Sequence, residues 1–302
     1  MTLQEQIRSN RLRTALVLLG FAVLTAALVL VIAGAYDPSV AGFIGIVAIG
    51  YGVFSWFFAD KVVAAASGAH PISKDQAPEL YRAVENAAIG AGLPRTPDVY
   101  IIQDDAPNAF AAGRNPEHAY VAATTGLVAK LSQRELEGVM AHEIAHIRNR
   151  DVRLMSLAAV LVGVIALVAD MLMRITIWGG SASRNKDLGP FGVIMGIVAM
   201  ILAPIGAALL QMALSRRREY LADASAAEIT GDPEGLALAL AKLRDDTTPL
   251  HTVTRATAHL FIESPLRDHK GLRSSLGGLF DTHPPLEDRI ARLAEAGGFP
   301  PP

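Results

Sequence analysis

Four long apolar runs, residues 15–35, 40–59, 154–173 and 188–214, constrain this 302-residue chain more than any other feature. Each reaches the roughly 20 residues that a helix needs to cross the hydrocarbon core of a bilayer. The expectation is four transmembrane helices in two hairpins, since only a helix satisfies its own backbone groups in lipid. Asp170 interrupts the third run four residues before Arg174, and a charge there costs insertion energy unless it sits at the interface or pairs along the helix. By itself that run also fits a buried helix of a soluble domain. The first run follows Arg8, Arg11 and Arg13 and ends in Ala33-Gly34-Ala35, which mimics a signal peptide. It exceeds the roughly 7–15 apolar residues of such a segment, and the second run begins after only Tyr36 to Ser39, so a retained hairpin is expected. Three Arg precede the first run while the loop after it carries only Asp37, so the N-terminus is expected in the cytoplasm. By parity the polar segments 61–153 and 215–302 lie there too, between and after the hairpins 1–60 and 154–214. The loop from Arg174 to Asp187, with three basic residues, runs against this rule.

Composition removes several alternatives. With 27 basic and 29 acidic residues and a net charge of -2, the chain has no electrostatic footprint for nucleic acid, and no such partner is expected. It has no Cys, which excludes a disulfide framework, a thiol nucleophile and Cys-ligated zinc. Any metal site must be built from His and carboxylates.

The polar segments read as a small α+β domain. Leu80, Val84 and Ala87 give Pro78 to Gly90 helical spacing, stopped by Gly92-Leu93-Pro94. Val99 to Ile102 is a short apolar strand; Asn108 to Ala112 and His118 to Ala123, separated by the turn-forming Gly113-Arg114-Asn115-Pro116, complete an expected three-stranded sheet. Ser132 and Glu135 form a capping box at the start of a helix running through residue 147.

That helix carries His142-Glu143-Ile144-Ala145-His146. The i, i+4 spacing puts both imidazoles on one face, where they can share a metal, and Glu143 is offset by about 100° as a general base. A second helical stretch, Glu219-Tyr220-Leu221-Ala222-Asp223, repeats the i, i+4 spacing with two carboxylates. A His-His-Glu set leaves the fourth position of tetrahedral zinc open, the pattern of hydrolytic sites. Asp223 has the right offset to accept the distal N–H of a ligand imidazole. If the helices continue into the bilayer, His146 and Glu219 lie about 12 and 8 Å from its boundary, on the same side. His70, His118, His251, His259 and His269 have no partner at ligand spacing.

Together with Thr282-His283-Pro284-Pro285 and the following Arg289, this ordered set resembles the HtpX-type membrane metallopeptidases, relatives of the CaaX prenyl protease. The resemblance covers nearly the whole chain. It implies a predominantly α-helical integral membrane protein, with four transmembrane helices and a cytoplasmic gluzincin-type protease domain. It implies one zinc per chain, held by His142, His146 and Glu219, with Glu143 as catalytic base. His283 would stabilise the oxyanion or donate a proton, Asp223 would orient His142, and Arg289 would brace the site. Asn108-Ala109-Phe110-Ala111 matches the family's substrate-binding edge strand. The implied role is quality control of membrane proteins under stress at the bacterial inner membrane, acting on membrane-protein or peptide substrates. A processing protease for lipidated peptides would share the same site, and a non-catalytic scaffold stapled by zinc is disfavoured by the open coordination position.

Overall fold

The computed structural model describes residues 8, 12–20, 22–23, 38–161, 216–251, 260–262 and 284–302. The fourth apolar run, most of the first and third, Asp170, Arg174 and His283 lie outside the described residues. Within the second run a 30-residue helix, α1 (Pro38–Ser67), continues past Asp60 and Lys61. Its side chains at 38–45, 47–49, 52 and 55 are also outside the described set. Among the described residues no helix is long and apolar enough to cross a membrane.

From α1 the chain passes through β1 (His70–Pro71), α2 (Pro78–Gly90), β2 (Asp98–Ile102), β3 (Ala109–Gly113), a 3₁₀ turn (Pro116–His118) and β4 (Ala119–Thr124). Two helices follow at once, α3 (Thr125–Lys130) and α4 (Gln133–Arg148). The last part comprises α5 (Arg216–Thr230), α6 (Pro233–Asp245) and α7 (Leu286–Gly297). The sheet order is β1-β2-β4-β3. β2 and β4 run parallel, while β1 and β3 pair antiparallel with their neighbours. The sheet thus has four strands where three were expected: β1 is only two residues long and contains a proline, too short for any periodicity to reveal. His118 belongs to the 3₁₀ turn instead of the strand, because Pro116 starts that turn and the Asn115 side chain bonds the His118 ring at 2.8 Å.

Alternation along β3 divides the core. Ala109 and Ala111 face a cluster built from α2, α4, α6 and α7, including Leu80, Val139, Leu240 and Ile290. Phe110 and Ala112 face the other way, toward Val63 of α1, Met155 and Phe261. The first of these clusters is drawn from both polar segments.

Local chemistry places α4 within it. Glu135 accepts the Ser132 N–H at 2.7 Å and donates its own N–H to Ser132 Oγ at 3.4 Å, closing the capping box. The same carboxylate takes Lys242 Nζ of α6 at 2.7 Å. Farther along, α4 and α6 approach so closely that a Cβ on Gly138 would stand 2.7 Å from Leu236 N and 2.8 Å from its Cα.

The helix ends at Arg148, one residue past the expected 147; Asn149 caps it, and Arg150 turns the chain with φ 59° before residues 151–161 become helical again. Residues 154–161, the start of that run, are buried.

Gly138→Ala should lower the thermal unfolding midpoint, because an overpacking cost of about 1–3 kcal/mol outweighs a helix-propensity gain of up to about 1 kcal/mol. An unchanged or raised midpoint would contradict so close an approach of α4 to α6.

Candidate metal centre

The His-Glu-x-x-His stretch lies in the buried second half of α4, with His142 at 1%, Glu143 at 2% and His146 at 4% exposure. One turn of separation brings the two Nε2 atoms to 3.2 Å, with the rings edge to face. The first turn of α5 lies across them. Glu219 puts Oε2 at 3.7 Å from His142 Nε2 and Oε1 at 3.6 Å from His146 Nε2. Ligands about 2.0–2.1 Å from a tetrahedral zinc are about 3.3 Å from one another, so these separations fit that ion closely. Among the described residues these three form the group of His and carboxylates that could hold a metal.

Each imidazole turns its Nε2 inward because its Nδ1 is held from behind. On His142 the partner is Asp223, whose Oδ1 lies 2.9 Å from Nδ1. Asp223 is one turn after Glu219, so α5 supplies both the inner carboxylate and the outer one. From α7, Arg289 grips Asp223 in two places, Nε to Oδ2 at 2.9 Å and Nη2 to Oδ1 at 2.6 Å. Arg289 is fully buried, its Nη2 also lies 3.3 Å from His142 Nδ1, and its Nη1 lies 3.4 Å from the carbonyl oxygen of Ile262. The bidentate geometry explains why an arginine stands here: its planar fork matches a carboxylate, which a lysine could not do.

On His146 the partner is Asp151, with Oδ2 at 3.0 Å from Nδ1. Sequence spacing did not point to this residue, because position i+5 on a continuous helix lies about 140° round from position i. The break at Asn149 and Arg150 brings it back.

Electrostatics follow from this geometry. Burial and the Arg289 charge push the His142 imidazole down, but hydrogen bonds to Asp223 and Glu219 outweigh them and raise its pKa to about 9. Burial alone would raise the Asp223 carboxyl; Arg289 and His142 reverse this and hold it below the usual carboxylate range.

The strand that follows Asn108 and bears Ala109 and Phe110, β3, is an edge of the sheet. Asn108 caps its start, its Oδ1 accepting the Ala109 N–H at 3.0 Å, and its backbone N–H donates to Thr124 Oγ1 at 2.9 Å. The Ala109 carbonyl accepts the N–H of Ile262 at 2.9 Å. The Phe110 ring packs edge-on against Tyr120 and Phe261 in the core.

Residues 74–296 match the model of Peptidase family M48. The Protease HtpX homolog of Ligilactobacillus salivarius is 43% identical over 299 residues, covering 96% of this chain and 99% of that protein. Those of Tropheryma whipplei strain Twist and Desulfatibacillum aliphaticivorans are 46% and 47% identical, each over 84% of this chain and over 85% and 82% of their own lengths. The chain belongs to peptidase family M48. It is a metallopeptidase, and the M48 family is zinc-dependent, in keeping with the fit of the donor set.

In the metal-free M48 chain His142 should titrate near pH 9, and Asp223→Asn should bring it down, as read by NMR of the imidazole. Because the folded pKa is raised, the stability linked to this ionisation is fully present below about pH 6.5, the unperturbed value, and is lost as the pH rises through about 9. Titration near pH 6.5 in the wild type would contradict the Asp223 interaction.

Proposed function

We propose that this M48 peptidase hydrolyses peptide bonds of misfolded or damaged membrane proteins at the cytoplasmic face of the bacterial inner membrane. His142, His146 and Glu219 hold one zinc per chain, and Glu143 is the catalytic base. The observation that carries this reading is the buried donor set of two imidazoles and one carboxylate, which would leave a tetrahedral ion one open position, with Glu143 buried on the same helix as the imidazoles.

When bound, zinc polarises the scissile carbonyl and lowers the pKa of water to about 7. Glu143 takes the proton of the attacking water and passes it to the leaving amine. Asp223, clamped by Arg289, keeps the His142 ring in one tautomer and orientation. His283 donates to the developing oxyanion. An extended substrate pairs with β3 beyond Ala109 through main-chain hydrogen bonds, which gives broad sequence tolerance.

The membrane setting is supported by the four apolar runs and by side chains on the N-terminal helices. Leu12, Leu16, Leu19 and Val23 are exposed, as are Ile46, Val53, Phe54, Phe57 and Phe58 of α1. So much uncovered apolar surface is unfavourable in water and is satisfied by lipid. At the end of the second run the Arg153 guanidinium sits 3.4 Å over the Trp56 ring and Lys61 5.4 Å from the Phe58 ring. Aromatic rings and long cationic side chains are the usual anchors at a membrane interface.

Detergent-purified wild type and Glu143→Gln should both bind one zinc, while the variant loses about 10²-fold or more in cleavage of a denatured, lipid-free membrane protein. Wild-type turnover by Glu143→Gln would overturn the base assignment, and cleavage confined to lipidated peptides would favour a processing enzyme.

A further inference from the structure

The two metal-facing imidazoles are backed in parallel ways. Behind His142 stand Asp223 and then Arg289; behind His146 stand Asp151 and then Arg218. The first arm is drawn from α5 and α7. The second is drawn from the chain just after α4 and from α5, where Arg218 immediately precedes Glu219. Asp151 is fully buried and Arg218 is 4% exposed, with Nη1 at 4.0 Å from Asp151 Oδ1. Burial pushes the Arg218 guanidinium down, with the Asp151 charge acting against it.

The second arm depends on an unfavourable backbone turn. A helix continuing through residue 151 would carry Asp151 about 140° away from His146 around the axis. Arg150 instead takes the left-handed conformation, with φ 59°, a choice that is unfavourable for a non-glycine residue. The turn folds Asp151 back onto Nδ1 of His146, 3.0 Å away.

We propose that Asp151, backed by Arg218, is a positioning residue for the peptidase reaction, fixing the tautomer and orientation of His146 and joining that ring to the helix that carries Glu219. The proposal rests on the reading of His142, His146 and Glu219 as the zinc-holding residues. Asp151 touches neither substrate nor metal; it acts through His146, so that the helix bearing Glu219 is registered to α4 by a charge pair as well as by apolar packing.

The test is zinc affinity of the full-length chain, measured by chelator competition in the Glu143→Gln background, together with the thermal midpoint with and without zinc. Asp151→Ala should weaken zinc binding by about 10–100-fold. Asp151→Asn, which retains an acceptor oxygen, should lose less. Arg218→Met should also weaken binding, and Arg218→Lys should recover part of the loss. A purely structural role would lower the metal-free midpoint and leave zinc affinity at the wild-type value, and that result overturns the proposal. If Asp151→Ala fails to fold, unchanged zinc affinity in both Asp151→Asn and Arg218→Met overturns it as well. His146→Ala separates the two readings. Loss of zinc there with wild-type affinity in the Asp151 variants refutes the positioning role alone, whereas retention of wild-type affinity by His146→Ala refutes the ligand set itself.

Discussion

Charged groups withdrawn from water are tolerated only when opposite charges and hydrogen bonds surround them. Asp151, Arg218, Glu219, Asp223 and Arg289 are all buried where α4, α5 and α7 meet. Asp223 sits against Arg289 and His142, and Asp151 against His146 and Arg218. Removing any one leaves another uncompensated, so the arrangement is held as a unit. The apolar core around it, from Leu80 to Ile290, excludes the water that would otherwise screen these interactions.

This explains why the residues of the centre come from widely separated parts of the chain. α4 supplies two imidazoles and a carboxylate, α5 one inner and one outer carboxylate, and α7 the guanidinium that neutralises the outer one. The close approach of α4 to α6 at Gly138 sets the depth of the first of these helices. The edge strand β3 joins the same core through Ala109 and Ala111 while Phe110 anchors its opposite face. A peptide held along that edge would therefore lie on a strand packed into the same core as the helix that carries the imidazoles.

Much of this was legible in the residues. The capping box at Ser132 and Glu135, the paired imidazoles of α4, the carboxylates of α5, the helix at Pro78 and the strand at Val99 all follow from local periodicity, and each is present. Features set by tertiary context were not. β1 exists because two residues find a partner in β2, and His118 is drawn out of its strand by the turn at Pro116. The break at Arg150 has no glycine to announce it, so Asp151 could not be placed beside His146 from spacing. Asp232 before Pro233, followed by Leu236, Leu240 and Leu243, is a local helix-start signal for α6. Arg289 came only from the family resemblance, since no local spacing places it against Asp223, to which it makes two bonds.

The most direct test of the centre is zinc X-ray absorption spectroscopy of the purified, metal-loaded chain. The account predicts two imidazole nitrogens, one carboxylate and a fourth donor that exchanges with solvent, at about 2.0–2.2 Å, with Glu219→Ala losing the carboxylate contribution. Four protein donors with no exchangeable position, or a spectrum unchanged by Glu219→Ala, would contradict it.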